Sequence, residues 1–436
     1  MSAQNLLKTR RFAPLFFTQF FGAFNDNLYK NALILLLTFQ SAQWSALSSG
    51  FLTNLAMALF ILPFFLFSAT SGLMADKYDK ARLARISKAL EILIVLVAGA
   101  GFAAESLKLL LTALFLLGLQ STLFGPVKYA ILPQHLAANE LVRGNALVEA
   151  ATFVAILLGT LAGGLLAATE NGALWITLAS LAIALLGYAA SRAIPPAPAP
   201  DPGLRLDFNP ITTTWHCIGF ARENRRVFLA VLGISWFWLY GSLLLTQFPA
   251  LTQTVLGGSE HLATVLLAVF AVGVGAGSLL CGKLARERAD VRLTLTGAIG
   301  LTLFGLDLAW IAAGTPLAAA PLAQLLAEPR VWRVLFDLLL LGASGGLYGV
   351  PLYTLMQQES HPGHRARVIA ANNILNALFM TLAALFAMEM LAQGATLAHL
   401  IAAVALANIA VIALCARLLR QRQSDEMPET ADKRCS

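Results

Sequence analysis

The chain has 436 residues, of which 58% are hydrophobic and 12% charged, and its formal net charge is +7. Soluble domains carry about 25% charged residues, so a mean hydropathy of +0.73 signals more apolar surface than a water-soluble fold can hide. The apolar runs lack the period-2 alternation of a barrel, which leaves helices as the spanning element, and the placement of the positive charge excludes nucleic acid as its partner.

In chain order, apolar runs of the length a bilayer requires predict twelve spans: 12–38, 48–74, 83–104, 107–132, 146–168, 172–191, 227–252, 261–282, 292–314, 330–356, 366–391 and 395–417. The first is too long, and too polar in its middle, for a cleaved signal peptide. Lys and Arg fall on alternate connections. One side holds Lys8, Arg10 and Arg11, then Lys77, Lys80, Arg82, Arg85 and Lys88, then Arg143. It continues with Arg192, Arg205, Arg222, Arg225 and Arg226, then Lys283, Arg286, Arg288 and Arg292, then Arg365 and Arg367, and the basic tail. The other side has Lys108, Arg330 and Arg333, while Lys30 and Lys128 sit within spans. This asymmetry predicts that both termini are cytoplasmic.

The long break at 193–226 begins PPAPAPDPG, a stiff polyproline-like stretch, and then turns polar and basic. It divides the chain into an N-terminal six-helix bundle (1–192), a cytoplasmic linker (193–226) and a C-terminal six-helix bundle (227–420). Residues 421–436 read as a disordered cytoplasmic tail. Cys217, Cys281, Cys415 and Cys435 show no metal-ligand spacing and read as free thiols. No metal or cofactor is called for.

Span 1 carries the sharpest local feature, Phe20-Phe21-Gly22-Ala23-Phe24-Asn25-Asp26-Asn27-Leu28-Tyr29-Lys30-Asn31. Asp26 lies about 21 Å along the helix from Phe12 at 1.5 Å per residue, near the bilayer midplane. An Asp there costs roughly 2.5–3.5 kcal/mol on insertion scales, so it must face a polar cavity or a partner. Asp26 and Lys30 share a face four residues apart, with Gln19 seven before, and Asn27 and Asn31 form a second pair. A hydrogen-bond network between helices would use the same residues. Two ionisable groups and several amides exceed what packing needs, and favour a solvated binding face.

Between spans 2 and 3, Gly72-Leu73-Met74-Ala75-Asp76-Lys77-Tyr78-Asp79-Lys80-Ala81-Arg82 resembles the loop signature of the major facilitator superfamily. Gly72 permits close helix approach, and Asp76 can accept hydrogen bonds from a neighbouring helix N-terminus. The resemblance implies a conformational latch at Gly72, Asp76, Lys80 and Arg82. The counterpart Gly282-Lys283-Leu284-Ala285-Arg286-Glu287-Arg288 lacks the acid. Small residues four apart, Gly159 with Gly163 and Gly273 with Gly277, predict close helix packing.

An internal repeat relates the halves. Span 4 ends Phe124-Gly125-Pro126-Val127-Lys128-Tyr129 and span 10 carries Tyr348-Gly349-Val350-Pro351-Leu352-Tyr353. Downstream, Asn145 with Glu149 and Asn372 with Asn376 are each four apart. Parallel repeats of this kind are those of a major facilitator fold, an all-α membrane protein with twelve helices in two pseudo-symmetric six-helix bundles.

The span 1 stretch with Lys30, Gly125–Tyr129 and Asn145–Glu149 together resemble the bacterial lysophospholipid transporter family of that superfamily. The resemblance implies that lysophosphatidylethanolamine and related lysolipids are flipped from the outer to the inner leaflet for reacylation. It implies a lysophospholipid acyltransferase as a possible partner at the cytoplasmic face, and Asp26 and Lys128 as headgroup residues. Some relatives have an Arg in helix 7; Trp236-Phe237-Trp238-Leu239-Tyr240-Gly241-Ser242-Leu243 has none. On charge alone, Lys30 and Lys128 suit a phosphate as point charges, and Asp26 or Glu149 suits an ammonium. Lys128 is also near enough to the cytoplasmic end to snorkel. Asn27, Asn145, Asn372 and Asn376 complete the candidate cavity, Trp236, Phe237, Trp238 and Phe248 are candidates for an acyl path, and a monomer is expected.

Two other readings compete: a proton-coupled carrier of a small solute or drug, with Asp26 or Glu149 titrating, and a membrane enzyme such as an acyltransferase. Against the enzyme, no His is followed by Asp at the five-residue offset of common glycerolipid acyltransferases, and no nucleotide-binding loop or metal cluster is present.

Overall fold

The structure is a computed structural model that describes residues 6–40, 45, 47–285 and 289–426, with side chains as far as Leu418. Arg286, Glu287 and Arg288 of the counterpart loop, and Cys435, Lys433 and Arg434 of the tail, lie outside the described residues.

Twelve long helices are present among the described residues. They are α1 (Ala13–Phe39), α2 (Ser49–Lys77), α3 (Lys80–Ala103), α4 (Leu107–His135), α5 (Leu141–Ala167) and α6 (Gly172–Arg192), then α8 (Arg225–Thr254), α9 (Glu260–Leu284), α10 (Val291–Ala312), α12 (Pro329–Glu359), α13 (Arg365–Ala392) and α14 (Leu397–Glu426). Two shorter helices join them, α7 (Pro210–Glu223) and the single turn α11 (Leu322–Leu325). By length and composition, eleven of the long helices can cross a membrane. The twelfth, α1, has 27 residues, about 40 Å at 1.5 Å each, and its hydropathy is diluted by the polar residues from Asn25 to Asn31. The predicted twelve spans therefore correspond one to one with helices, and several run further than their apolar cores.

The departures have local causes. The linker is not extended throughout. Asn209 caps α7 by accepting the N–H groups of Ile211 (3.0 Å) and Thr212 (3.4 Å), and Pro210 occupies the first helical position, where a missing N–H costs nothing. Thr213, Cys217 and Ala221 give α7 one buried face, and burial pushes the Cys217 thiol up to about 12. The tail begins as helix, because α14 continues to Glu426 through residues with good helix propensity. Lys88 is not a connection residue. It is fully buried inside α3, where Glu91, one turn on, neutralises it at 2.5 Å. Cys217, Cys281 and Cys415 are free thiols, all buried.

The chain forms two compact units. One comprises Met1–Asn224 together with Gln357–Leu378, the other Arg225–Met356 with Phe379–Ser436. In the first, α1 packs on α5 and α6, α4 packs on α2 and α3, and α7 lies against α2. The α1–α5 contact is intimate because α5 presents glycines: a Cβ on Gly163 would sit 2.5 Å from the Leu28 carbonyl oxygen, and one on Gly159 would strike that of Phe24. Leu28, Tyr29, Leu33, Leu37, Ile94 and Leu114 belong to the core of this unit, and the Tyr29 hydroxyl is satisfied by the Leu110 carbonyl at 3.0 Å. In the second unit, Gly273 and Gly277 of α9 meet the Leu339 and Ala343 carbonyls of α12 in the same manner. Both predicted small-residue pairs thus mark close backbone approaches.

In the second unit, Asn408 donates to the Ala298 carbonyl (2.7 Å) and Thr302 (2.9 Å) and accepts from Trp236 (2.8 Å), a fully local set of partners. Phe237 and Phe248 are buried against Tyr348 and Phe270, and Trp238 donates to the Tyr353 hydroxyl at 2.9 Å. These aromatics are packing residues of this unit. Asp307 pairs with Arg333, and Glu389 accepts from Gln393 at 2.5 Å.

Candidate substrate site and latch

The first unit gathers every candidate polar residue. On α1, Asp26 is half-buried; its Oδ2 accepts the Ser121 hydroxyl of α4 at 2.5 Å, and its Oδ1 has no partner. Lys30, one turn on, donates to Asn27 Oδ1 at 3.1 Å and lies 5.0 Å from the Phe60 ring centroid. Asn27 in turn donates to the Ala23 carbonyl (2.8 Å), and Asn31 donates to Thr160 on α5 (3.0 Å). Asp26 and Lys30 thus share a face but take different partners.

Lys128 on α4 is half-buried with its ammonium 4.8 Å from the Tyr129 ring centroid, and it feels the charges of both Glu149 and Asp26. Glu149 on α5 is buried, is hydrogen-bonded by Tyr129, and keeps Oε1 unpartnered. Two acids and two lysines therefore converge from α1, α4 and α5, neutral in sum, with one free carboxylate oxygen on each acid. Asn372 on α13 is fully buried with both amide atoms unpartnered, and Asn376 is buried one turn on. Asn145 is committed elsewhere: it donates to Gln357 at 2.7 Å and accepts from it at 3.1 Å, closing a reciprocal amide pair.

At the other candidate site, Asp76 is completely buried. Its Oδ1 accepts the Ala366 N–H (3.2 Å), and its Oδ2 accepts the Arg367 N–H (3.3 Å) and Nε (3.0 Å). An anion at the N-terminus of α13 is where a helix dipole favours it. Gly72 sets the distance, since a Cβ there would lie 2.7 Å from that of Ala370. Lys80 is buried with its ammonium unpartnered, while Arg82 is exposed and bonds Asp79 only through its backbone. The polyproline strap docks beside them: Lys80 N–H donates to the Ala197 carbonyl (2.9 Å), Ala197 N–H to Asp79 (2.8 Å), and Asp201 N–H to the Asp76 carbonyl (3.1 Å). Phe220 of α7 stacks on the Arg367 guanidinium at 4.5 Å.

The Major Facilitator Superfamily profile matches residues 15–384. A relative from Klebsiella pneumoniae subsp. pneumoniae named lysophospholipid transporter LplT is 30% identical over 365 residues, covering 82% of each chain. The chain belongs to the major facilitator superfamily, in its lysophospholipid transporter family. A second relative of that name, from Cronobacter sakazakii, is 28% identical and covers 82% of this chain and 83% of its own. Among solved structures, the superfamily transporter FucP aligns with a TM-score of 0.71 at 14% identity, covering 93% of this chain and 98% of its own, and the human organic anion transporter MFSD10 aligns at 0.68 with 14% identity, covering 92% and 99%. These likenesses fix the fold. As a member of this superfamily the protein is a multi-pass membrane transporter and not an enzyme.

Sequence reasoning missed three residues that matter here. Arg367 reads as one more cytoplasmic cation, yet it is the side-chain partner of Asp76. Glu91 passes unnoticed in an apolar span, and Ser121 looks like a small filler. A signal existed for Glu91: Lys88 and Glu91 lie one turn apart, eight residues or more into α3, too deep for loop charges.

Proposed function

We propose that this transporter flips lysophosphatidylethanolamine and related lysolipids from the outer to the inner leaflet of a bacterial inner membrane, by alternating access, to supply reacylation. The observation that carries the reading is the neutral cluster of Asp26, Lys30, Lys128 and Glu149 in one unit. A zwitterionic headgroup brings one phosphate and one ammonium. Lys128 and Lys30 would receive the phosphate as point charges, and the free oxygen of Asp26 or Glu149 would receive the ammonium as a charge-assisted hydrogen bond. Because the cluster is neutral when empty, neither form strands a net charge at membrane depth. Asn372, with both amide atoms unpartnered, is a further headgroup contact. Asn145, engaged with Gln357, supports the site from behind.

We further propose a monomer with two six-helix bundles (1–192 and 227–420), a cytoplasmic linker (193–226) and a tail from 421. Both termini would be cytoplasmic, Asp76 would latch one conformation, and a lysophospholipid acyltransferase would work at the cytoplasmic face. The test is uptake of labelled lysophosphatidylethanolamine into proteoliposomes, with and without a proton gradient. Saturable protein-dependent uptake is expected. Uptake no faster than in empty liposomes, alongside gradient-driven uptake of a small solute, would replace this reading with the proton-coupled carrier.

A further inference from the structure

Beside Asp26 lies a second, fully buried set of charges that the headgroup reading does not use. Glu91 accepts from the Lys88 ammonium (2.5 Å), from Asn25 Nδ2 (2.8 Å) and from Gln120 Nε2 (3.4 Å), and both ions are 0% exposed. Each neutral donor is the chain neighbour of a site residue. Asn25 precedes Asp26, and Gln120 precedes Ser121, the hydroxyl that holds Asp26.

The position of the ammonium is the decisive feature. Lys88 Nζ rests directly against the α-carbon of Gly22, so that any Cβ there would collide with it. Gly22 lies four residues before Asp26, one turn along the same face of α1, a rise of about 6 Å. The Lys88 stem runs past Gly187 on α6, and its ammonium is 5.3 Å from the Phe124 ring centroid. A cation on a flexible four-carbon stem therefore stands one turn from a carboxylate that keeps one oxygen free. Its ion-pair partner is Glu91.

We propose that Glu91 is a positioning residue that holds the Lys88 ammonium off Asp26, and so keeps the Asp26 carboxylate free for the ammonium of the substrate. The inference rests on the headgroup reading of Asp26 given above. Losing one member of a buried pair leaves the other uncompensated, and for Lys88 the replacement partner one turn away is Asp26. An intramolecular ammonium would then compete with the headgroup. A lysolipid without an ammonium would not feel the competition.

The test compares wild-type full-length protein, Glu91→Gln and the double variant Lys88→Met/Glu91→Gln in proteoliposomes, with labelled lysophosphatidylethanolamine and lysophosphatidylglycerol. For Glu91→Gln we expect the KM for lysophosphatidylethanolamine to rise about tenfold, equivalent to about 1.4 kcal/mol, with kcat little changed and lysophosphatidylglycerol kinetics near wild type. Removing the competing ammonium as well should return the KM of the double variant to near the wild-type value. A pair that merely staples α1, α3 and α4 gives other results, each of which overturns the proposal: a double variant no better than Glu91→Gln, equal damage to both lysolipids, or a double variant that does not fold. Should Glu91→Gln alone fail to fold, a double variant with wild-type KM still supports the proposal and a raised KM overturns it. Wild-type protein that takes up neither lysolipid defeats the headgroup reading itself, and this proposal with it.

Discussion

Charge placed at membrane depth has to be answered by charge or by amides, and the polar residues of α1 answer this in two different ways. Asn31 donates to the Asn27 carbonyl and to Thr160, whereas Asp26 is bonded on one oxygen only. The same contrast separates Asn145, closed against Gln357, from Asn372, open on both atoms. Outside the spans, Arg11 and Glu140 form a two-pronged ion pair at 2.6 Å on both prongs, and Glu140 also accepts the Ala137 N–H at 3.0 Å. The Arg11 hydrogen bond holds the Glu140 carboxyl below its ordinary value. A carboxyl depressed in the folded state contributes stability that is fully present above its unfolded value and is lost as pH falls through the folded one. Arg11 is 37% exposed, so screening limits the pair to about 1 kcal/mol or less. Glu140→Gln should therefore lower the melting temperature in detergent slightly at pH 7, with the two proteins converging towards pH 3. A gap that persists or widens in acid would show that the pair is not what stabilises this end. At this scale the sequence was legible for Asp26 and Lys30, because an ionisable residue in an apolar run has few explanations. It was silent on which atoms remain free, since that depends on neighbours such as Ser121, 95 positions from Asp26.

Elements here are positioned by small residues and by carboxylates at helix ends. Gly159 and Gly163 bring α1 and α5 together, and Asp76 ties α2 to the first turn of α13. The spacing of the glycines and the order of the span 2–3 loop made both readable in advance. Arg367 and the linker helix α7 were not, because each owes its role to tertiary contact: Arg367 to Asp76, and Phe220 to the Arg367 guanidinium. If Asp76 is a latch, Asp76→Asn should slow transport more than it weakens lysolipid binding, since only a contact specific to one state shifts an equilibrium. Each of its acceptor bonds to α13 is charge-assisted, and such bonds are worth roughly twice neutral ones. Equilibrium binding and uptake measured on the same preparation decide the matter. Wild-type uptake with unchanged conformational populations would remove Asp76 from the mechanism.

For the whole molecule, twelve helices followed from apolar run lengths alone, and the family from a few motifs in the N-terminal half. The orientation rests on the lysine and arginine asymmetry. In a cysteine-free background, a cysteine at Leu47 should react with an impermeant thiol reagent from outside and one at Gly219 should not, and the reverse pattern would invert the topology. The central claim is that the α1–α4–α5 cluster receives the headgroup. Asp26→Ala and Lys128→Ala each remove one charge from the neutral cluster and with it one headgroup contact. The direct measurement is uptake of labelled lysophosphatidylethanolamine by each variant in vesicles, read beside its monodisperse yield from detergent. The account predicts uptake reduced to background in both alanine variants at near wild-type yield, with partial activity in Asp26→Glu. Normal uptake in both alanine variants, or loss of uptake only because neither variant folds, would contradict it.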